Sequence, residues 1–298
     1  MDRFWALLFG VCNLAMLLLC IISPSLGWWL PSLENADSYG SSADALFYFI
    51  LYATGFFFVL TELLLCYFLW KYRYSSEAKS VYTHGHHRLE MIWTIVPAVI
   101  LVAIAIVQIP AWAEMKYENK MPVPDQIIDV SARQFEWRMR YPDVATRETL
   151  VKAWKDGDRK QADAWGKNWR ANIDDIHLVN QVHTWKSAKT RIYLSTRDVL
   201  HSFFLPNMRI KQDAVPGKVI PLWFEPTNAN CKWDEDNERI TLTTEDGEPW
   251  PLACTELCGW GHYKMQGHLY VHETKESYLA WLKYTKEQLS TRESDTTE

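Results

Sequence analysis

The sequence predicts a helical membrane anchor at the N-terminal end, followed by an all-β domain on the outer side of the bilayer. Three observations lead there. Two runs, 46–70 and 91–112, are almost free of charge and long enough to cross a hydrocarbon core, which takes about 20 residues. Basic residues collect in the loop between them. Beyond about residue 112 the chain turns polar and breaks into short β-branched and aromatic stretches punctuated by Pro and Gly.

The first apolar stretch, FWALLFGVCNLAMLLLCII (4–22), follows Arg3. A basic start also suits a cleaved signal, but the run exceeds a usual signal core and no small-residue cleavage pattern follows it. The expectation is a retained third helix, with 1–45 made of that helix and an external loop. LFYFILYATGFFFVLTELLLCYFLW (46–70) carries one charge, Glu62. A charge at that depth costs on the order of 3 kcal/mol, so Glu62 is expected to face another subunit or to stay protonated. MIWTIVPAVILVAIAIVQIPAW (91–112) carries none and completes a membrane hairpin, 46–112. Lys71, Arg73, Lys79 and Arg88 lie between the long runs, whereas 23–45 holds Glu34, Asp37 and Asp44 and no Lys or Arg. The 71–90 loop is therefore cytoplasmic, and everything after about 112 is outside. The formal net charge of −5 gives no basis for nucleic-acid binding.

The outer domain, 113–290, contains QIIDVSARQFEWRMRY, RIYLSTRDVLHSFFL, KVIPLWFEP, RITLTT and GHLYVHE, all with partial alternation of apolar and polar residues. Several short strands with AVPGK- and TEDGEPWP-type turns predict a β-sandwich or barrel. Two stretches break the pattern. Residues 143–175 are charged and partly helix-like, and read as a surface insertion. TKESYLAWLKYTKEQL (274–289) has apolar residues at helical spacing and predicts a helix laid on the domain, with a disordered tail at 291–298.

The chemistry is concentrated in ACTELCGWGHYKM (253–265). A disulfide between Cys254 and Cys258 would close a very small loop and constrain little. Zinc accepts two cysteines and two histidines, but it has little use for the thioether of Met265. Thiolate, imidazole and thioether together are the ligands of electron-transfer copper. Two cysteines can bridge two such metals, and each metal still needs an imidazole and a weak ligand. Cys254, Cys258, His262 and Met265 leave one imidazole missing. His177, His183, His201, His268 and His272 are available, and His201 in DVLHSFFLP sits well to reach a neighbouring loop.

DVLHSFFLPNMRIKQDAVPG, CTELCGWGHYKM and HRLEMIWTIVPAVILVAIAI together closely resemble subunit II of the haem–copper cytochrome c oxidases, over about residues 46 to 283. The resemblance implies a membrane hairpin carrying a cupredoxin-like sandwich with a dinuclear copper (CuA) centre. Cys254 and Cys258 would bridge the coppers. His201 and Met265 would complete one metal, and His262 and the backbone carbonyl of Glu256 the other. The Glu256 side chain would help to hold a magnesium ion shared with subunit I. Glu90, just before MIWT, matches a glutamate at a proton channel of subunit I; read alone, it is a carboxylate stabilising a helix start. ARQFEWRMRY resembles the family's aromatic strand, whose first tryptophan takes electrons from cytochrome c. Here that place is Phe135, with Trp137 in the second, which puts direct transfer at 135 in doubt and leaves Trp137 equally readable as a core residue.

The implied function is a subunit of a respiratory terminal oxidase in a bacterial inner membrane, with its C-terminal domain periplasmic. It would accept electrons from a separate c-type cytochrome and pass them to the oxygen-reducing subunit I. No C-x-x-C-H occurs, so no covalent haem c is expected. A copper subunit of a nitric oxide reductase would share the centre, and a membrane-tethered copper chaperone would use similar ligands. The acidic run 234–248 reads as a solvated loop, or as a means of attracting a basic cytochrome near the copper.

Overall fold

The computed structural model describes residues 2–26, 28, 36–75, 77, 79, 81–167 and 175–295. The chain divides into a helical unit, Met1–Leu33 with Asp44–Pro110, and a β unit, Glu34–Ala43 with Ala111–Glu298.

The helical unit is built from α1 (Asp2–Ile22), α2 (Gly40–Lys71) and α3 (His87–Lys116). All three are long and apolar enough to span a membrane, and within this chain at most 6 % of each span is buried. Such unpartnered apolar surface needs lipid or other subunits to cover it. α2 and α3 overrun their apolar runs at both ends, because a helix continues through the polar interfacial zone. Pro97 and Pro110 sit inside α3.

The β unit is a two-sheet sandwich, as expected, but its sheets are mixed. Its strands are β1 (Gln126–Arg133), β2 (Glu136–Tyr141), β3 (Ile176–Val179), β4 (Gln181–Trp185), β5 (Thr190–Thr196), β6 (His201–Leu205), β7 (Ile210–Ala214), β8 (Ile220–Phe224), β9 (Cys231–Asp234), β10 (Arg239–Leu242), β11 (Trp250–Cys254) and β12 (Gln266–His272). One sheet has the order β3-β2-β1-β5-β8 and the other β10-β9-β12-β11-β6-β7, with β4 also pairing β12. The β1–β5 and β12–β4 pairs are parallel. Residues just before α2 join this unit: Asp37 bridges Pro226, and its carboxylate accepts from the Glu225 amide at 2.8 Å. This places the segment before α2 on the same side as the β unit, as the loop charges require.

β1 shows how the insertion is used. Ile128, Val130 and Ala132 face the main core, while Ile127 joins Leu150, Trp154, Trp165 and Tyr193 in a second cluster. The strand is buried on both faces, so its sequence alternates only weakly. The second face is covered by α4 (Val144–Lys155), N-capped by Asp143, and α5 (Arg159–Lys167). The insertion is thus a packed layer rather than a surface excursion; its residues 168–174 lie outside the described residues. Arginines lock it down. Arg140 bonds Asp129 at 3.1 Å and Asp175 at 2.9 Å and lies 4.1 Å over the Trp165 ring. Arg191 lies 4.1 Å over Trp154.

The final helix, α6 (Lys275–Asp295), buries Tyr278, Trp281 and Leu282. It runs into the stretch expected to be disordered from 291; residues 296–298 lie outside the described residues. Trp154→Ala should empty the second cluster and cost about 3 to 5 kcal/mol, read as a lower denaturant midpoint by circular dichroism, while exposed Lys152→Ala should leave the midpoint in place.

Candidate metal centre

Three adjacent strands bring the donors together. β6 opens at His201 and pairs β11, with Phe203 opposite Cys254, and β11 pairs β12, with Ala253 opposite Gln266. The Cys254 amide donates to the Met265 carbonyl at 3.1 Å, and the Thr255 amide to the Ser202 carbonyl at 3.0 Å. These bonds cinch the loop at its base. Inside it, the amides of His262 and Met265 donate to the carbonyls of Gly259 and His262, each at 3.1 Å, winding the second half into a short turn.

The resulting donor set is compact. The Cys254 and Cys258 sulfurs stand 3.9 Å apart, unbonded, against about 2 Å in a disulfide. His201 Nδ1 is 3.9 Å from Cys254 Sγ, and the Glu256 carbonyl is 3.3 Å from it. His262 Nδ1 is 3.6 Å and Met265 Sδ 3.8 Å from Cys258 Sγ. His201, Cys254 and Cys258 form a metal-capable group among the described residues. Zinc would be satisfied by the cysteines and the two imidazoles, leaving the fully buried Met265 without a purpose. The whole set suits copper.

The surroundings act oppositely on the two thiols. Burial opposes ionisation of Cys254, but hydrogen bonds from His201 and from the Ser202 and Glu256 backbone draw its pKa down to about 6. Burial and the neighbouring Cys254 charge push Cys258 up to about 11. His201 Nε2 lies 2.8 Å from Asp198 Oδ1; an imidazole that donates to this carboxylate would offer its Nδ1 lone pair to a metal at the sulfurs. The other Asp198 oxygen accepts from the Gln134 amide at 2.7 Å, and the Gln134 side chain donates to the Cys258 carbonyl. Asp198 therefore ties ligand, loop and the β1–β2 turn together.

Asp198 and Gln134 went unforeseen; an acid three residues before His201 was the available signal. The other histidines go elsewhere. His183 and His272 are buried 3.3 Å apart beneath Trp281, at the end of β12 remote from Met265, and burial holds both below the usual imidazole range. His177 and His268 lie in β3 and mid-β12. Cys231 is a buried core thiol whose pKa burial raises. Trp137 is wholly buried, edge-on to His201 at 6.1 Å, whereas Phe135 lies against the loop. The Glu256 side chain is exposed, as is that of Glu90 in the first turn of α3. The acidic run does not flank the loop. β9 meets β12 at His272, and β11 begins at Trp250 opposite Leu269, so residues 234–248 lie at the far end of the sheet. A steering role near the copper loses its geometric support, since screening acts over about 8 to 10 Å.

Removing the carboxylate in Asp198→Ala should weaken metal affinity about 10- to 100-fold, the usual cost of losing a histidine's outer partner. Chelator competition measures it, with an unchanged far-ultraviolet spectrum showing that the fold persists.

Two sequence profiles match this chain: the transmembrane domain of cytochrome c oxidase subunit II over residues 33–110, and the periplasmic domain of the same subunit over 127–235. The second ends before the cysteine loop, so the loop stands on its own geometry. The alternative cytochrome c oxidase subunit 2 of Bradyrhizobium diazoefficiens is 24 % identical over 87 % of this chain and 84 % of its own length. Cytochrome c oxidase subunit 2 of Cereibacter sphaeroides is 27 % identical over 80 % and 74 %. Among solved structures, the periplasmic domain of subunit II of cytochrome oxidase (CoxB) from Bradyrhizobium japonicum aligns with 56 % of this chain and 97 % of its own, at 20 % identity and a TM-score of 0.38. With both halves of the subunit matched in order, over more than half of its length, the chain belongs to the cytochrome c oxidase subunit II family.

Proposed function

We propose that this chain is the electron-accepting subunit of a respiratory terminal oxidase, receiving electrons from a separate c-type cytochrome and delivering them to the subunit that reduces oxygen. The observation that carries this reading is the convergence of four further donors on two cysteine sulfurs 3.9 Å apart. When bound there, a copper pair supplies a one-electron acceptor and donor.

The protein's own part is to fix the ligands. Cys254 and Cys258 would bridge the metals, His201 and Met265 would complete one, and His262 with the Glu256 carbonyl the other. His201 and Met265 are fully buried and Cys258 nearly so, and ligands on a loop cinched at its base by paired strands keep one geometry before and after electron transfer. Such burial argues against a chaperone, which needs exposed ligands that exchange metal. The exposed Glu256 carboxylate is free to share a magnesium ion with the catalytic subunit. Glu90, at the start of α3 and beside the basic loop, would feed a proton path in that subunit. The β unit would then lie in the periplasm and the helices in a bacterial inner membrane.

The purified oxidase should contain two coppers attributable to this subunit and show the purple absorption and multi-line paramagnetic resonance of a mixed-valence pair. Cys258→Ser should abolish both signals and leave the haem spectra intact; one metal per subunit, or zinc, would refute the reading. Glu90→Gln should slow turnover severalfold with the copper signals intact, and unchanged turnover would remove Glu90 from the proton path.

A further inference from the structure

His201 and Met265 are fully buried and the two cysteines nearly so, while His262 is half-buried, so an arriving electron must cross what covers the sulfurs. That cover is aromatic. Phe135 lies on the loop so closely that a Cβ at Gly261 would stand 2.5 Å from its ring and one at Gly259 3.2 Å from it. Between these two glycines Trp260 projects outward, 81 % exposed, with its ring edge-on to Phe135 at 5.1 Å between centroids. Two residues before it is Cys258 and two after it is His262, so the indole hangs from the backbone that carries ligands on both sides. Leu257 and Tyr263, 78 % and 66 % exposed, extend the bare apolar surface along the same loop.

Three large exposed apolar side chains on one tight loop mark a contact surface rather than a solvated turn. The other aromatics do not serve. Trp137 is interior, and the phenyl ring of Phe135 is far harder to oxidise than an indole and lies partly beneath Trp260. The acidic run is at the other end of the sheet, so charge does not define the contact.

We propose that Trp260 is the side chain through which the donor's electron reaches the metal loop, its indole meeting the exposed haem edge of a c-type cytochrome, with Leu257 and Tyr263 as the apolar rim. The inference rests on the copper reading and names its contact residue. In the step, one electron leaves the donor's ferrous haem, which becomes ferric, and the copper pair is reduced by that electron. No proton moves and the indole is unchanged at the end. Donor and loop meet through a rigid, largely desolvated aromatic anchor, the type of residue that dominates small interfaces.

The test uses the whole oxidase. Hydroxyl-radical footprinting should find Trp260 reactive in the free complex and protected when a redox-inert, zinc-substituted c-type cytochrome is added. An indole already shielded by another oxidase subunit, or one left unprotected by the cytochrome, overturns the proposal. In stopped flow, Trp260→Ala should slow cytochrome oxidation by about tenfold or more, the loss expected of an anchor residue, and by much more than it slows reduction by a small dye. Trp260→Phe should recover part of the loss. With the copper spectrum intact, an unchanged cytochrome rate, or equal slowing with both reductants, also overturns it. The wild-type footprint decides the matter even where a variant loses copper. Absence of the mixed-valence signal from the wild-type oxidase would instead defeat the copper reading itself.

Discussion

The backbone ladder from β6 through β11 to β12 is the constraint on which the rest of the site depends. It sets His201 beside Cys254 and closes the cysteine loop by joining Cys254 to Met265. A one-residue slip of β11 would turn Cys254 to the other face and dissolve the donor set. Register is protected because the face that carries His201, Cys254 and Met265 also carries Phe203, Leu205, Leu252, Leu269 and Val271 into the main core. Burial of apolar side chains and placement of the ligands are therefore one selection, made by the same hydrogen bonds.

The periphery of the sandwich keeps that ladder rigid by different means at its two ends. Near the loop, Asp198 holds His201 and the Gln134 backbone, and Gln134 holds the Cys258 carbonyl. At the far end the anchoring is apolar and aromatic. His183 stacks 3.7 Å from Trp281 of α6 and stays neutral because burial penalises its charge. Imidazoles thus stand beside the cysteines at one end and serve as flat packing elements at the other.

Much of this was legible in the residues. The spans followed from length and absence of charge, and Met265 separated copper from zinc because a thioether is soft. Of the five candidate histidines, the one picked out by its position at a strand end, His201, stands 3.9 Å from the Cys254 sulfur. Long-range placement was not legible. The insertion looks charged because Arg140 and Asp175 are charged, yet Arg140 is consumed by Asp129, Asp175 and the Trp165 face, and Leu150 and Trp154 cover β1. A single sequence does not reveal such tertiary pairing. The acidic run precedes the strand leading to Cys254, which suggested proximity; strand direction puts it a full strand length away instead.

The loop also reconciles two opposed demands. A stable relay needs its ligands dry and immobile, while a relay that exchanges electrons with a soluble partner needs only a thin barrier. Thick cover would satisfy the first demand and defeat the second. Gly259 and Gly261 set the thickness: with no side chain at either position, the Phe135 ring rests directly on the backbone. Gly259 adds a second reason, because its φ of +134° is strained for any residue with a Cβ. Over Gly259 and Gly261 the cover is then one aromatic ring deep, with no further layer of side chains beneath it. A side chain at either glycine would push the ring off the loop, so the two residues with no side chain do as much to define this surface as the aromatics between and above them.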